Sequence, residues 1–228
     1  FARVFGQDEK VDWTSVIESL GKSFLISSPE GLSIKPYPSC GFTHGAIDAA
    51  IALKNTYDID IEAIDEIELG VSPFDKKILI HHNPKTGLEG KFSLEYCVAR
   101  ALVSNEVRLK HFTAESVTEP EVRSLAGKMK WVEKFPLPVM GTPEGFGTKS
   151  VTVKMKNGRS YSHEVPTAKG MPQNPLSTQE FKAKFRDCAA VYLDNDKTEK
   201  CWNLLSILET LESPPKEKRG FLSDILSP

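Results

Sequence analysis

Hydrophobic positions recur with two different periods along this chain, and the change of period predicts where helices and strands lie. Apolar residues at helical spacing predict helices over residues 43–54 and 94–102. Alternating apolar residues predict one strand that ends at Pro73 and another over residues 151–155. The dipeptide at residues 157–158, Asn-Gly, is typical of the tight turn of a hairpin, so we expect an antiparallel return strand after it.

Further helix starts are predicted where an N-cap residue is followed three positions later by a glutamate. This pattern occurs three times: Thr118 with Glu121, Ser177 with Glu180, and Asp196 with Glu199. The last of these helices is expected to continue through Leu211 to a stop at residues 214–215, and a short helix is expected over residues 12–20. Residues 75–90 and 131–147 are rich in glycine and proline and are predicted to be irregular.

The interleaving of helices and strands predicts an α+β fold for residues 22–170, with a sheet that contains antiparallel strands. Residues 171–228 are entirely helical in their pattern, and they carry apolar stripes of their own. Two isolated helices cannot bury such stripes alone, so we expect them to pack against something else. Residues 1–21 lie before the α+β unit as a linker or as the end of another unit.

Composition narrows the class of protein and its partners. The chain has 228 residues, of which 39% are hydrophobic and 26% charged, as in ordinary globular domains. The formal net charge of -2 argues against a nucleic-acid partner, and no apolar run approaches the roughly 20 residues that span a bilayer. We therefore expect no nucleic-acid and no membrane partner.

Cysteine spacing bears on the compartment. The four cysteines lie far apart and form no CxxC motif: Cys40, Cys97, Cys188 and Cys201. This spacing is typical of reduced thiols rather than of a zinc site or a disulfide framework, so a cytoplasmic location is expected, or a mitochondrial one in a eukaryote. The last three lie on apolar helical faces and are expected to be buried core thiols.

The segment KPYPSCGFTHGAID, residues 35–48, places a lysine, a thiol and a histidine around a helix start. Thr43 is the expected N-cap, which puts His44 in the first turn. A helix N-terminus attracts carboxylates or phosphates, and Lys35 adds a full positive charge. The same field disfavours protonation of His44, so a neutral imidazole that exchanges protons near pH 7 is expected. From spacing alone, a solvated lysine, a capping threonine and a half-buried histidine explain the segment at least as well.

Two other arrangements of residues can be interpreted either as functional or as ordinary structural features. Lys91 and Ser93 follow two glycines at a helix start, which fits either a second anion contact or an ordinary helix start. Cys40 lies four residues before His44, so a thiol nucleophile with a histidine base is a hydrolase alternative, with Asp48 as the orienting carboxylate. His81 and His82 are adjacent rather than at the spacing of metal ligands, so no metal site is expected there.

Four sequence blocks, in this order, carry a resemblance to a known family: KPYPSCGFTHGAIDAAIAL from Lys35, TGLEGKFSLEYCVARAL from Thr86, VTVKMKNGRSYSHEV from Val151, and KGMPQNPLSTQEFKAKF from Lys169. On the basis of these four blocks, the chain resembles the carboxy-terminal half of the MmgE/PrpD family. That family includes dehydratases, decarboxylases and epimerases that act on small polycarboxylates. The residues between Lys35 and His44 depart from the dehydratase and animal decarboxylase branches, so the resemblance does not fix one substrate.

The resemblance implies a two-part enzyme with its active site between an all-α domain and an α+β lid. Residues 22–170 would be the lid, and residues 171–228 would return to the all-α domain, whose larger part would precede this chain. Lys35 and His44 would be catalytic, with Lys35 on a substrate carboxylate and His44 as a second anion contact or proton-transfer group. With the residues singled out above on their positions at helix starts, the expected substrate-binding set is Lys35, Cys40, Thr43, His44, Lys91 and Ser93.

The resemblance further implies a homodimer that works without a metal or organic cofactor. Its substrate would be a small di- or tricarboxylate, and the reaction would be dehydration, decarboxylation or epimerisation. The alternative to an enzyme is a non-catalytic binding or assembly subunit, in which this chain pairs with another polypeptide.

Overall fold

The computed structural model describes residues 12–22, 24, 26, 31–138 and 146–207. In these ranges the α-helices are α1 Trp13–Ser19, α2 Gly41–Thr56, α3 Asp75–Ile78, α4 Gly87–Gly90, α5 Leu94–Ser104, α6 Ala114–Val117, α7 Pro120–Ala126, α8 Thr178–Ala189 and α9 Asn195–Leu205. The strands are β1 Ile64–Val71, β2 Met129–Glu133, β3 Lys149–Met155 and β4 Ser160–Val165. The α+β class is therefore confirmed.

The four strands form one mixed sheet in the order β2-β1-β3-β4. β1 pairs antiparallel with β3, and β3 pairs antiparallel with β4 through the predicted hairpin. Gly158 has a φ of 83° in the hairpin turn, a left-handed conformation that glycine adopts without a steric penalty. β1 and β2 run parallel, with Ile67 opposite Met129. The sheet is thus mixed rather than purely antiparallel.

The sheet has one apolar and one charged face. Its apolar residues are fully or almost fully buried: Ile64, Ile67, Leu69, Val151 and Val153. The neighbouring positions of the strands carry a ladder of opposite charges, in which Glu66 pairs with Lys130 and with Lys154. The alternation that predicted these strands follows from this difference between the two faces.

Helix α2 covers the sheet at β3 and β4, and α5 packs between α2 and α7. The side of α2 that faces the core carries small residues, Ala46, Ala49 and Ala50, all at most 1% exposed. Small side chains let the helix approach closely, which places the start of α2 beside the end of the sheet. Both helices that hydrophobic periodicity predicted are confirmed.

Capping differs from the prediction at two of the three expected helix starts. Ser177 and Glu180 form the predicted capping box of α8. In contrast, α7 begins at Pro120 without a side-chain cap, because the Thr118 hydroxyl donates back to the carbonyls of the preceding turn. Asp194, rather than Asp196, accepts the capping hydrogen bond of α9.

The segments predicted to be irregular contain regular elements. Residues 75–90 include the one-turn helices α3 and α4, and β2 extends to Glu133. The apolar spacing of Val122, Leu125 and Met129 predicts that the preceding helix continues through Met129, but α7 ends at Ala126 and Met129 begins β2. Residues 139–145 lie outside the described residues, as do those after 207 that include Leu211 and the expected stop at residues 214–215.

The carboxy-terminal helices bury little surface. Phe181 and Phe185 of α8 pack against Trp202 of α9, with ring centroids 5.8 Å and 5.4 Å apart. No described residue of α8 is buried, and Cys188 is exposed, which corrects its prediction as a core thiol. Cys97 is buried as predicted. Among the described residues, no helix has the length and apolar character needed to cross a bilayer.

Candidate functional site

An open cleft of about 380 Å³ lies between the segment before α2, the residues before α5, and helix α8. This volume is at the small end of the range for ligand pockets. Its lining residues are Lys35, Tyr37, Pro38, Ser39, Cys40, Lys91, Phe92 and Lys184. Three of these eight residues are lysines and none is acidic, so the cleft is suited to an anion.

The turn that precedes α2 forms one wall of the cleft. Cys40 occupies the N-cap position without a side-chain cap, and Thr43 is the third residue of the helix, which corrects its prediction as the N-cap. The Thr43 hydroxyl donates to the Cys40 carbonyl at 2.8 Å and lies 2.8 Å from the Ser39 hydroxyl. The Cys40 N–H donates to the Lys91 carbonyl at 2.9 Å. These bonds hold together the two segments that carry Lys35 and Lys91.

Lys35 and Lys91 both line the cleft, in different surroundings. Lys35 is exposed, and its ammonium donates to the Ser39 carbonyl at 3.3 Å. Lys91 is half-buried, with its ammonium 6.0 Å from the centre of the Phe112 ring. Ser93 caps α5 by accepting from the Tyr96 N–H at 3.3 Å. Ser93 and Thr43 are both fully buried and do not line the cleft.

His44 lies behind the wall of the cleft and is 3% exposed. Its Nε2 lies 3.4 Å from the Ser39 carbonyl, and its ring meets the Tyr37 ring edge-on with centroids 5.3 Å apart. Burial lowers the pKa of His44 to about 4, and the positive charges of Lys35 and Lys184 act in the same direction. The imidazole is therefore neutral at pH 7, as expected, but mainly because it is buried and with a pKa well below 7.

Asp48 belongs to a different hydrogen-bond network from the imidazole. It accepts from the Tyr37 hydroxyl at 2.6 Å and from the Lys169 N–H at 2.7 Å, and burial raises its pKa. The hydrogen bonds of the described residues include none between Cys40 and His44 or between His44 and Asp48. The Cys-His arrangement that a thiol hydrolase requires is thus not assembled in this geometry.

Sequence reasoning missed Lys149, which lies on the opposite side of the start of α2. Its ammonium lies 3.2 Å from Asp75 Oδ1 and donates to the carbonyls of Phe146 and Gly147 at 2.6 Å and 3.2 Å. Asp75 in turn accepts from the N–H and hydroxyl of Ser72. Lys149 reads in sequence as an ordinary polar strand residue, and nothing local reveals a partner so distant along the chain.

Sequence reasoning also missed Lys184. It lies within the last of the four family-like blocks, but the charged residues of that helix gave no reason to single it out. Only the packing of α8 brings it to the cleft. Among the described residues, no group of three or more His, Cys, Asp or Glu side chains could hold a metal ion.

The fold and cleft define an α+β domain with a small, positively charged ligand site. The chain belongs to the MmgE/PrpD family, because the profile of the MmgE/PrpD C-terminal domain matches residues 37–210. This match confirms the resemblance carried by the four sequence blocks.

Three curated relatives that match this chain are named as cis-aconitate decarboxylases or as similar to them. The chain is 26% identical over 202 residues to cis-aconitate decarboxylase of Mus musculus and 22% identical over 211 residues to that of Homo sapiens. It is 24% identical over 205 residues to the cis-aconitate decarboxylase-like protein oryM of Aspergillus oryzae. Each alignment covers 86% of this chain but only 40% or 41% of the relative. The chain thus spans about two fifths of the length of these relatives.

Proposed function

We propose that this chain supplies the lid half of the active site of a cofactor-independent lyase or isomerase that acts on a small di- or tricarboxylate. The observation that carries the proposal is the cleft itself, which is lined by three lysines and by no acidic residue. The names of the relatives favour a decarboxylase that acts on a tricarboxylate such as cis-aconitate. Dehydration and epimerisation develop the same negative charge next to a carboxylate, by loss of a proton instead of carbon dioxide, and are tested alongside it.

The electrostatics of the cleft suit the charge that such a reaction develops. When a proton or carbon dioxide leaves a carbon next to a carboxylate, negative charge spreads onto the carboxylate oxygens. Fixed positive groups that face this charge stabilise the transition state more than the ground state. Lys35 is the proposed main contact, with Lys91 as a second one. The uncapped N-terminus of α2 adds partial positive charge beside them.

His44 has a different proposed role, because a buried neutral imidazole is poorly placed to bind an anion directly. Its Nε2 faces the carbonyl of Ser39, the same carbonyl that accepts from the Lys35 ammonium. We therefore propose that His44 holds the turn that positions Lys35. It moves a proton only if closure of the complete site exposes its ring.

The partners follow from the same reasoning. The larger all-α domain of the family would cover the open side of the cleft and supply the groups that take or give the proton. A homodimer is proposed on the family resemblance. Both proposals concern the natural full-length protein that carries this sequence.

The test is an assay of the natural full-length protein with citrate, 2-methylcitrate, cis-aconitate and iminodisuccinate, followed by proton NMR. Conversion of any one of them, with the class of product read from the spectrum, supports the proposal and identifies the reaction. Binding of these compounds without conversion would instead favour the non-catalytic binding subunit. Failure to bind or convert all four would contradict a polycarboxylate site.

A further inference from the structure

Lys184 lines the same cleft as Lys35 and Lys91 but belongs to the carboxy-terminal helix α8. Polar contacts hold this helix against the lid. Asp187 accepts from the Leu109 N–H at 3.3 Å, and Glu180 pairs with the Lys169 ammonium at 3.1 Å. The cleft is therefore two-sided, with lysines contributed by both sides.

The carboxylates that would ordinarily neutralise Lys184 are engaged elsewhere. On a helix, the usual partners of a lysine lie three or four residues away, which here are Glu180 and Asp187. Glu180 accepts from Lys169 and from the N–H and hydroxyl of Ser177, while Asp187 accepts from a lid N–H. Among the ion pairs of the described residues, none includes Lys184. The contact of its ammonium is the Cys188 sulfur at 4.0 Å, a weak acceptor.

Lys182 of the same helix provides a contrast. Its ammonium pairs with Glu199 at 2.9 Å and lies 5.7 Å from the centre of the Trp202 ring, so it joins α8 to α9. Within the part of the chain that the structure describes, Lys184 has no comparable partner. Its charge nevertheless reaches the site, because it contributes to lowering the pKa of His44.

We propose that Lys184 is a specificity-determining residue that binds the central carboxylate of a tricarboxylate whose two terminal carboxylates contact Lys35 and Lys91. The ligand then bridges the lid and α8, and a dicarboxylate loses this third contact. This inference rests on the proposed function, and it adds to it a residue and a preference for three carboxylates over two.

The experiment compares Lys184→Gln with Lys200→Gln in the natural full-length protein. Lys200 is an exposed lysine of α9 that does not line the cleft, so it controls for the loss of one positive charge. Binding is measured by calorimetry with propane-1,2,3-tricarboxylate and with glutarate, which lacks only the central carboxylate. Circular dichroism and the urea midpoint establish that each variant is folded.

For Lys184→Gln we expect tricarboxylate affinity to fall about tenfold to one-hundredfold, as for loss of a hydrogen-bonded charge pair. Glutarate affinity should change by less than about threefold, and Lys200→Gln should change neither by more than that, as for an exposed charge. Lys184→Arg should recover part of the tricarboxylate affinity.

Two results overturn the inference in distinguishable ways. If the wild-type protein binds the tricarboxylate but Lys184→Gln behaves like Lys200→Gln, or weakens both ligands equally, only the assignment of Lys184 fails. If the wild-type protein binds neither ligand, the proposed function fails and this inference fails with it.

Discussion

Lysines lie on two sides of the start of α2, and their surroundings differ sharply. Lys149 is 1% exposed, and its ammonium is surrounded by the carboxylate of Asp75 and two backbone carbonyls. On the cleft side, the ammonium of Lys35 has one carbonyl acceptor, at 3.3 Å. A lysine whose donors are satisfied inside the protein has a structural role, whereas one held with its charge unpaired remains available to an anion.

The charged outer face of the sheet places lysines in a third kind of environment. Lys154 pairs with Glu66 at 3.0 Å and Glu68 at 2.6 Å, but this ladder faces solvent, where water screens such pairs. Three lysine environments in one domain should therefore respond differently to loss of the charge. The experiments below test this difference, in order of decreasing effect.

Replacing Lys149 with methionine should lower the free energy of unfolding by about 3–5 kcal/mol, because the carboxylate of Asp75 would stay buried without its partner. Urea denaturation followed by circular dichroism measures this. The double variant Lys149→Met with Asp75→Asn removes the stranded charge and should recover a large part of the loss. A single variant as stable as the wild type would show that the pair has no structural role.

Replacing Lys35 with alanine should leave the urea midpoint unchanged, because its side chain is exposed and makes one weak hydrogen bond. In the natural full-length protein, kcat/KM should fall about 10²- to 10³-fold, as for loss of one group that stabilises an oxyanion. Lys200→Ala serves as the matched control. Near-normal turnover in Lys35→Ala would disprove the proposed role of this lysine.

Stability should also depend on pH through His44. Its pKa is about 4 in the folded state and about 6.5 in the unfolded chain, so between these values the unfolded chain binds a proton that the folded protein excludes. Stability is therefore fully present above pH 6.5 and falls as the pH decreases toward 4, by up to about 3 kcal/mol.

Urea denaturation at several pH values between 7.5 and 4.5 measures this dependence. His111 contributes in the same direction, because burial also lowers its pKa to about 4, followed by the effects of Arg100 and Lys110. His44→Gln should therefore flatten the profile only in part, and His111→Gln measures the share of the second histidine. A profile for His44→Gln that runs parallel to the wild type would exclude His44 as a source of the pH dependence.

The smallest effect is expected for Lys154→Gln on the outer face of the sheet. Its two glutamate partners remain hydrated when the lysine is replaced, so no buried charge is left unpaired. The urea midpoint should shift far less than in Lys149→Met. A shift as large as that of Lys149→Met would mean that burial does not distinguish these lysines.

Local sequence signals predicted the elements whose stability is local. The stripe of α5 and the Asn-Gly hairpin could be predicted because one helical period and one turn specify them. β2 could not, because Met129 continued the apolar stripe of the preceding helix and the strand is short. It forms only because β1 offers a parallel partner, which is a tertiary effect.

Only the part of the candidate site that is formed by residues close together in sequence could be predicted. Lys35, Cys40 and Tyr37 lie close together in sequence around one helix start, so a charge argument located this wall of the cleft. The position of Lys184 depends on how α8 packs against the α+β domain, and that of Lys149 depends on the pairing of β3 with β1. Neither arrangement leaves a signal in the neighbouring residues.

The parallel pairing of β1 with β2 also bears on how the domain folds. The hairpin of β3 and β4 closes a turn of three residues, 156–158, whereas Ile67 and Met129 must meet across a loop of about sixty residues that contains α3 to α7. Contacts between residues so distant in sequence form slowly, since the entropy of closing the loop must be overcome before the contact stabilises the chain. We therefore expect β2 to join the sheet last, after α5 and α7 have formed and shortened the path between β1 and β2.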